Sequence, residues 1–167
     1  LCENPPKIWL NSSTATIYQH TSGNAAANTE KAGKIGSDFS MNIAKSWEKV
    51  FEQQVLELTH THAVIMRTAI VYGKEGGAFP VIWSLAKKGL CTPQAGGKQW
   101  ISWIHEQDFC RAIDHIMDKE LNGTFNLCAP EPIQNKAFYD LIAQYVKPII
   151  KLPQPKWLLQ IGAVFIK

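Results

Sequence analysis

The sequence predicts a parallel α/β fold, on three observations. Two short apolar runs, Ile8-Trp9-Leu10 and Ala63-Val64-Ile65-Met66, read as buried strands; an amphipathic helical pattern lies between them; and a hydroxyl cluster, Ser12-Ser13-Thr14-Ala15-Thr16, closes the first run. Strands that are apolar without alternation are those covered on both faces, and a strand-helix-strand order joins them as parallel neighbours. Open sheets of this kind collect their chemistry at the carboxyl ends of the strands, where the hydroxyl cluster stands.

The elements follow in order. Residues 7–13 read as a buried strand, and a loop rich in Gly, Asn, Ala and Thr occupies 19–36. Phe39, Ile43, Trp47, Val50, Phe51 and Val55 form the stripe of an amphipathic helix, with Ser37 or Asp38 as its N-cap. That helix leads to the strand 63–66. After a loop over 73–77, residues 78–88 read as a helix with Pro80 in its first turn, where proline is tolerated, closed by Gly89. Gly96-Gly97 introduces a strand over 99–104. Phe109, Ala112, Ile113, Ile116 and Met117 mark a further amphipathic helix, Asn122-Gly123 turns into a strand over 124–128, and Phe138, Leu141, Ile142 and Tyr145 give a last helix. A sheet built from these strands alone has an exposed edge.

With 167 residues, 46% of them apolar and 19% charged, the chain is long enough for a real core. The net charge of +3 is dispersed, with only short basic pairs such as Lys87-Lys88, which argues against nucleic acid and membrane partners. Cys2, Cys91, Cys110 and Cys128 show neither C-x-x-C spacing nor a metal-ligand grouping, so no metal is expected and the thiols read as reduced, mostly buried and cytoplasmic. No apolar run has the length of a membrane span, and no secretory signal opens the sequence.

Beyond periodicity, three segments stand in a telling order. Ser12-Ser13-Thr14-Ala15-Thr16-Ile17-Tyr18 resembles the "SS(S/T)ATVY" segment of the extended short-chain dehydrogenases/reductases, the fold of the nucleotide-sugar epimerases. Ile65 to Gly73 resembles their "R-x-x-x-V-Y-G", and Gln99 to Asp108 their "(F/W)-(I/V)-H-x-x-D". Gly76-Gly77-Ala78, the Trp-rich stretch and Asn126 to Pro132 look most like an atypical branch known as epimerase-family proteins. Leu152 to Gly162 resembles the start of that branch's C-terminal extension. The resemblance implies the C-terminal part of a doubly wound Rossmann-like sheet. Residues 1–72 would be the second half of the nucleotide-binding domain, 73–150 a small mixed α/β substrate lobe, and 151–167 the start of the extension. No G-x-G-x-x-G turn follows a strand anywhere, and the chain opens on Leu1, so it reads as a portion of a larger protein whose pyrophosphate cradle lies elsewhere.

The resemblance also implies NADP or NAD as cofactor. Exchanging hydride between a nicotinamide and a carbinol carbon requires one group to move the hydroxyl proton and another to hold the oxygen. In the family a Tyr moves the proton, a Lys four residues later lowers the Tyr pKa, and a Ser or Thr hydroxyl holds the oxygen. That last role falls to Thr14, with Ser13 beside it as a cofactor contact; a cap on the strand end is the plain alternative. With Glu48 aligned on the family Glu, the Tyr position holds Ser40 and the Lys position Ala44, while a shift of one offers Met41 and Lys45. The atypical branch shows the same loss. Tyr18 is then the candidate substitute acid, against packing at the strand end.

Thr68, Ala69 and Ile70 are placed beside the nicotinamide ring by the same resemblance, as cofactor contacts. Arg67 either fixes an anion or braces the sheet edge. Gly76 and Gly77 would let a loop close over substrate, or only satisfy a turn. Gln99 and Trp100, with Trp103 near a glycine turn, read either as a stacking pocket for a substrate ring or as core. His105 and Asp108 read as a helix start. The first reading is therefore an NAD(P)-dependent epimerase-like oxidoreductase acting on an unidentified small molecule. A dinucleotide-binding protein without turnover, or an interaction module, is the alternative. The helix from Phe39 to Val55 matches the one extended family members use to form homodimers, and an apolar outer face on it would mark an interaction surface.

Overall fold

The computed structural model describes residues 4–21, 23–94 and 96–149. The extension expected over 151–167, and Cys2, lie outside the described residues. The chain forms two compact units: one comprises the residues up to His20, Ala26–Val71 and Ser102–Ala129, the other Thr21–Ala25, Tyr72–Ile101 and the residues from Pro130 on.

The first unit is built on a parallel sheet in the order β1-β2-β6, with β1 at Ile8–Thr14, β2 at His62–Thr68 and β6 at Gly123–Leu127. The register puts Leu10 opposite Val64, Ser12 opposite Met66 and Thr14 opposite Thr68, while Thr68 in turn faces Leu127. Because side chains alternate across a strand, two faces follow. One carries Leu10, Val64, Met66, Phe125 and Leu127, which pack on Phe109, Ala112, Ile113 and Ile116 of the helix α3, Glu106–Asp118. The other carries Trp9, Asn11, Ser13 and Arg67 and meets the helix α1, Phe39–Val55: Trp9 abuts Phe51 edge-on at 5.1 Å, and Asn11 accepts a hydrogen bond from Trp47. The sheet is thus covered on both faces, as uninterrupted apolar strands require.

α1 does not bury the stripe that its sequence displays most strongly. Met41, Ala44, Glu48 and Phe51 face inward, whereas Phe39, at 82% exposed, Ile43, Trp47 and Val50 point outward. The outer face of the helix is therefore apolar.

The strand expected over 99–104 is a correction. It breaks at Ser102 into β4, Trp100–Ile101, and β5, Trp103–His105. Different partners claim the two pieces: β4 pairs with β7, Ile133–Gln134, whereas β5 pairs with β3, Ile70–Tyr72. The short strands β3 and β7 carry too few residues for an alternation to be read. The expectation of mostly buried thiols is also corrected, since Cys110 and Cys128 are exposed and Cys91 is half-buried. Cys110 sits beside the inward stripe of α3 rather than in it, and Cys128 follows the end of β6.

In the second unit, α2 at Ala78–Lys87 packs on α4 at Asn135–Val146. Tyr72 stacks on Phe138 at 5.4 Å and contacts Phe79 at 5.8 Å. Burial pushes the Tyr139 hydroxyl and the Cys91 thiol above their ordinary pKa values, and the two hydrogen-bond each other.

Ile116 is buried at the centre of the first core and Phe39 projects into solvent, so their truncation should separate cleanly. Ile116→Ala should cost about 2–5 kcal/mol in urea unfolding followed by circular dichroism, and Phe39→Ala close to nothing. Equal losses would contradict the inward and outward assignment.

Candidate functional site

The carboxyl ends of β1, β2 and β6 lie side by side in the first unit, and their register sets two rows of residues. Ser13, Arg67 and Asn126 form one row; Thr14, Thr68 and Leu127 form the next. The first row faces α1 and holds a connected polar network. Arg67 meets Glu48 of α1 in a bidentate ion pair, Nε to Oε1 at 3.0 Å and Nη2 to Oε2 at 2.7 Å. Ser13 Oγ donates to the same Glu48 Oε1 at 2.6 Å. The remaining guanidinium nitrogen, Nη1, donates to the Tyr18 hydroxyl at 2.9 Å, and that hydroxyl donates to Asn126 Oδ1 at 2.8 Å. The guanidinium also lies 5.1 Å from the centre of the Tyr18 ring.

The place of Glu48 in this network is set by α1. Glu48 follows Ala44 by four positions and precedes Phe51 by three, so it lies on the buried side of α1. Both its side chain and that of Arg67 are largely removed from water, at 6% and 13% exposure. The charge-assisted bonds to Glu48 outweigh burial and raise the Arg67 pKa above its ordinary value. A base whose folded pKa is raised contributes stability at every pH below its unfolded pKa and loses it only above. Arg67 thus stays charged through any working range. Arg67 braces the sheet against α1 from the central strand β2, rather than at the sheet edge expected from sequence.

Thr14 ends β1 and caps the single 3-10 turn Ala15–Ile17: its Oγ1 accepts from the Thr16 amide at 3.1 Å and donates to Thr16 Oγ1 at 3.0 Å. Tyr18 follows this turn and is buried with Ile17 and Ala44. Thr68 closes β2, its hydroxyl donating to the Met66 carbonyl at 3.3 Å. Buried Ala69 and exposed Ile70 continue from it, Ala69 donating to the Leu127 carbonyl at 3.0 Å and Ile70 to the Ser102 carbonyl at 3.3 Å. The first unit therefore brings together Ser13, Thr14, Tyr18, Thr68, Ala69 and Ile70. Of the residues that the resemblance aligns with the family's Tyr and Lys in either register, Ser40 and Lys45 are exposed and Met41 and Ala44 are buried.

The loop after Tyr18 is tied to the same strand ends. Glu30 Oε1 accepts from the Asn126 amide at 2.7 Å, Gln19 donates to the Lys34 carbonyl at 2.7 Å, and Gly36 to the Ile17 carbonyl at 2.9 Å. At Gly33 a side-chain carbon would run into the Tyr18 ring and the Thr29 carbonyl, so only glycine lets the loop pass there.

The remaining residues singled out from sequence fall in the second unit. Gly77 adopts a positive φ of 72° before α2, a turn requirement, whereas Gly76 stands in open space. Gln99 donates to the Gln94 carbonyl at 3.1 Å, and the Trp100 ring nitrogen to the Gly23 carbonyl at 2.9 Å. Back in the first unit, His105 is the N-cap of α3, its Nδ1 accepting from the Gln107 amide at 3.2 Å, and Asp108 pairs with Arg111 on the surface. Among the described residues, no group of three or more His, Cys, Asp and Glu is placed to hold a metal, and no helix is long and apolar enough to cross a membrane.

Sequence reasoning missed Asn126 and the pairing of Glu48 with Arg67. Only the inward face of α1, which the structure reveals, shows that Glu48 is a buried carboxylate in need of a partner.

No family model matches the sequence. The chain is 31% identical over 156 residues to "Epimerase family protein YfhF" of Bacillus subtilis, a match covering 92% of this chain and 50% of that protein. It is 33% identical over 145 residues to "Epimerase family protein SA0724" of Staphylococcus aureus, covering 86% and 47%. Among solved structures it resembles the human epimerase family protein SDR39U1 (isoform 2) with NADPH, with a TM-score of 0.79 and 26% identity over 92% of this chain and 51% of that one. The UDP-glucuronic acid 4-epimerase of Bacillus cereus, solved with UDP-glucuronic acid and NAD, shares the fold at a TM-score of 0.75 and 18% identity. The chain thus spans about half the length of the relatives it matches.

Because Arg67 and Glu48 are buried together, removing either alone should destabilise by about 3–5 kcal/mol, whereas replacing both by apolar residues of similar size should recover most of it. Urea unfolding of Arg67→Met, Glu48→Leu and the double variant measures this. A double variant as unstable as the sum of the singles would mean the pair is not coupled.

Proposed function

We propose that this chain, which belongs to the epimerase family of short-chain dehydrogenases/reductases, is the C-terminal, nicotinamide-side portion of an NAD(P)-dependent epimerase-like oxidoreductase. The observation that carries the reading is the alignment, at the carboxyl ends of β1 and β2, of the Thr14 and Thr68 hydroxyls with Ala69 and Ile70 beyond them. These residues fit part of a dinucleotide. Small and apolar groups at a strand end suit the face of a nicotinamide ring, and a hydroxyl suits a reacting oxygen. The sequence has no glycine-rich turn for the pyrophosphate, so that part of the cofactor would be held outside this chain.

When bound, the nicotinamide supplies the hydride acceptor or donor. The chain's part is to hold a substrate hydroxyl and exclude water around it. Thr14 Oγ1 has its proton on Thr16 Oγ1, a contact that a substrate oxygen can replace without disturbing the bond Thr14 accepts from the Thr16 amide. Tyr18 is poorly suited to give up a proton from its present position, because its hydroxyl donates to Asn126 and accepts from Arg67. We read it as an anchor of the site rather than the substitute acid. The substrate is a small molecule with a secondary alcohol or the corresponding ketone. NADPH suits the reading by likeness to the human protein, and NAD by likeness to the Bacillus cereus enzyme.

A second reading is favoured by one observation. With Ser40 and Ala44 in place of the acid pair, the fold would bind a dinucleotide without turning over, and the apolar outer face of α1 would serve protein contacts.

Thr14→Val separates the two. In protein containing both halves of the fold, hydride transfer, followed by NAD(P)H absorbance, should fall about tenfold or more for one lost hydrogen bond to developing charge, with cofactor affinity nearly unchanged. Unaltered turnover would remove Thr14 from the mechanism.

A further inference from the structure

Ala69 and Ile70 stand at a joint between two sheets. β2 ends at Thr68 and β3 begins at Ile70, so one buried residue, Ala69, carries the chain from the parallel sheet to the β3–β5 ribbon. The two amides of this joint are taken by acceptors from different parts of the chain. Ala69 donates to the Leu127 carbonyl at 3.0 Å, at the end of β6, and Ile70 donates to the Ser102 carbonyl at 3.3 Å, at the break between β4 and β5. Where the joint sits therefore depends on how the end of β6 is fixed against Ser102.

Two contacts fix it. The Ala129 amide donates to the Trp103 carbonyl at 2.6 Å, and beside that bond the side chains of Cys128 and Ser102 hydrogen-bond each other. Cys128 directly follows Leu127, and Ser102 is itself the acceptor for Ile70, so the bonds close a ring through Ala69, Leu127, Cys128, Ser102 and Ile70. The ring passes through side chains only at Cys128 and Ser102. Both residues are exposed, so what they contribute is this bond rather than packing in a core. The break at Ser102, which leaves that residue outside both β4 and β5, is what frees it to serve Ile70 and Cys128 together.

We propose that Ser102 and Cys128 are positioning residues for the candidate site, their side-chain bond setting where Ala69 and Ile70 stand. This rests on the reading of these strand ends as the nicotinamide side of the enzyme, and it adds the pair that holds the far end of that site. Thr14 is held separately, by its own bonds to Thr16, so the clasp and the reacting hydroxyl can be altered one at a time. A thiol is a weak partner for a hydroxyl, and the effect of losing it is graded rather than all-or-none.

Amide hydrogen exchange of the 167-residue chain, followed by NMR, reads the clasp without any cofactor. Ser102→Ala and Cys128→Ala should each speed exchange at Ala69 and Ile70 about three- to tenfold, as for one lost neutral hydrogen bond, and leave Val64 and Met66 unchanged. Cys128→Ser keeps a donor and an acceptor at that place and should restore slow exchange. In protein containing both halves of the fold, the two alanine variants should slow hydride transfer by a similar factor, with NADPH affinity, read by its fluorescence, nearly unchanged; Cys128→Ser should recover the rate. Exchange at Ala69 and Ile70 that ignores the substitutions would overturn the clasp. So would faster exchange at Val64 and Met66 to the same extent, or equal losses of affinity and turnover, since these mark a general loosening. In each of those cases the nicotinamide-side reading stands as long as the unsubstituted protein binds NADPH and Thr14→Val slows it. Failure of the unsubstituted protein to bind NADPH or NADH would overturn that reading and the proposal with it.

Discussion

The ion pair between Arg67 and Glu48 is the constraint around which the first unit is arranged. A guanidinium and a carboxylate buried together must satisfy nearly all their hydrogen-bonding capacity inside the protein. They do so by drawing in Ser13 from β1, Tyr18 from the turn that follows it, and through Tyr18 the Asn126 amide of β6. Three strands, one helix and one loop are thereby held at a single level of the sheet. The residues aligned at the strand ends beyond this level, Thr14 and Thr68, inherit their positions from it.

Strand alternation explains why the polar network and the apolar core do not interfere. Side chains one residue apart along β1, β2 and β6 point to opposite faces, so Ser13 and Arg67 meet Glu48 of α1 and Asn126 meets Tyr18, while Thr14, Thr68 and Leu127 turn toward the α3 side. A slip of one residue in β2 would turn Arg67 toward Leu127 and Ile116, take Val64 and Met66 out of that core, and leave Glu48 unpaired. The register of the sheet and the integrity of the ion pair therefore enforce each other.

Much of this was legible in the sequence, for reasons that differ by element. The strands holding Ile8-Trp9-Leu10 and Ala63 to Met66 were readable because uninterrupted apolar runs have few other fates, and the helices because their apolar residues recur at helical spacing. The face of α1 was not readable from periodicity, because two apolar stripes share the helix and the more hydrophobic one points outward. What decides the inward stripe is Glu48, whose partner lies far along the chain in β2, and no local pattern announces a long-range pair. The break between β4 and β5 was hidden for a similar cause: which neighbour claims Trp100 and which claims Trp103 is settled by β7 and β3, strands of two and three residues. At the candidate site, the order of the motifs located Thr14 and Thr68, but only the structure shows that the hydroxyl of Ser13 is committed to Glu48.

The same network bears on what α1 can carry at Ala44. Ala44 is buried against Ile17 and Tyr18, one helical turn before Glu48 on the same side of α1. A lysine there would carry its ammonium into an apolar cluster beside a tyrosine already facing the Arg67 guanidinium, so it would meet both desolvation and like charge. The buried stripe of α1 is thus matched to the network in charge as well as in shape, small and neutral at Ala44 and anionic at Glu48, where the guanidinium arrives.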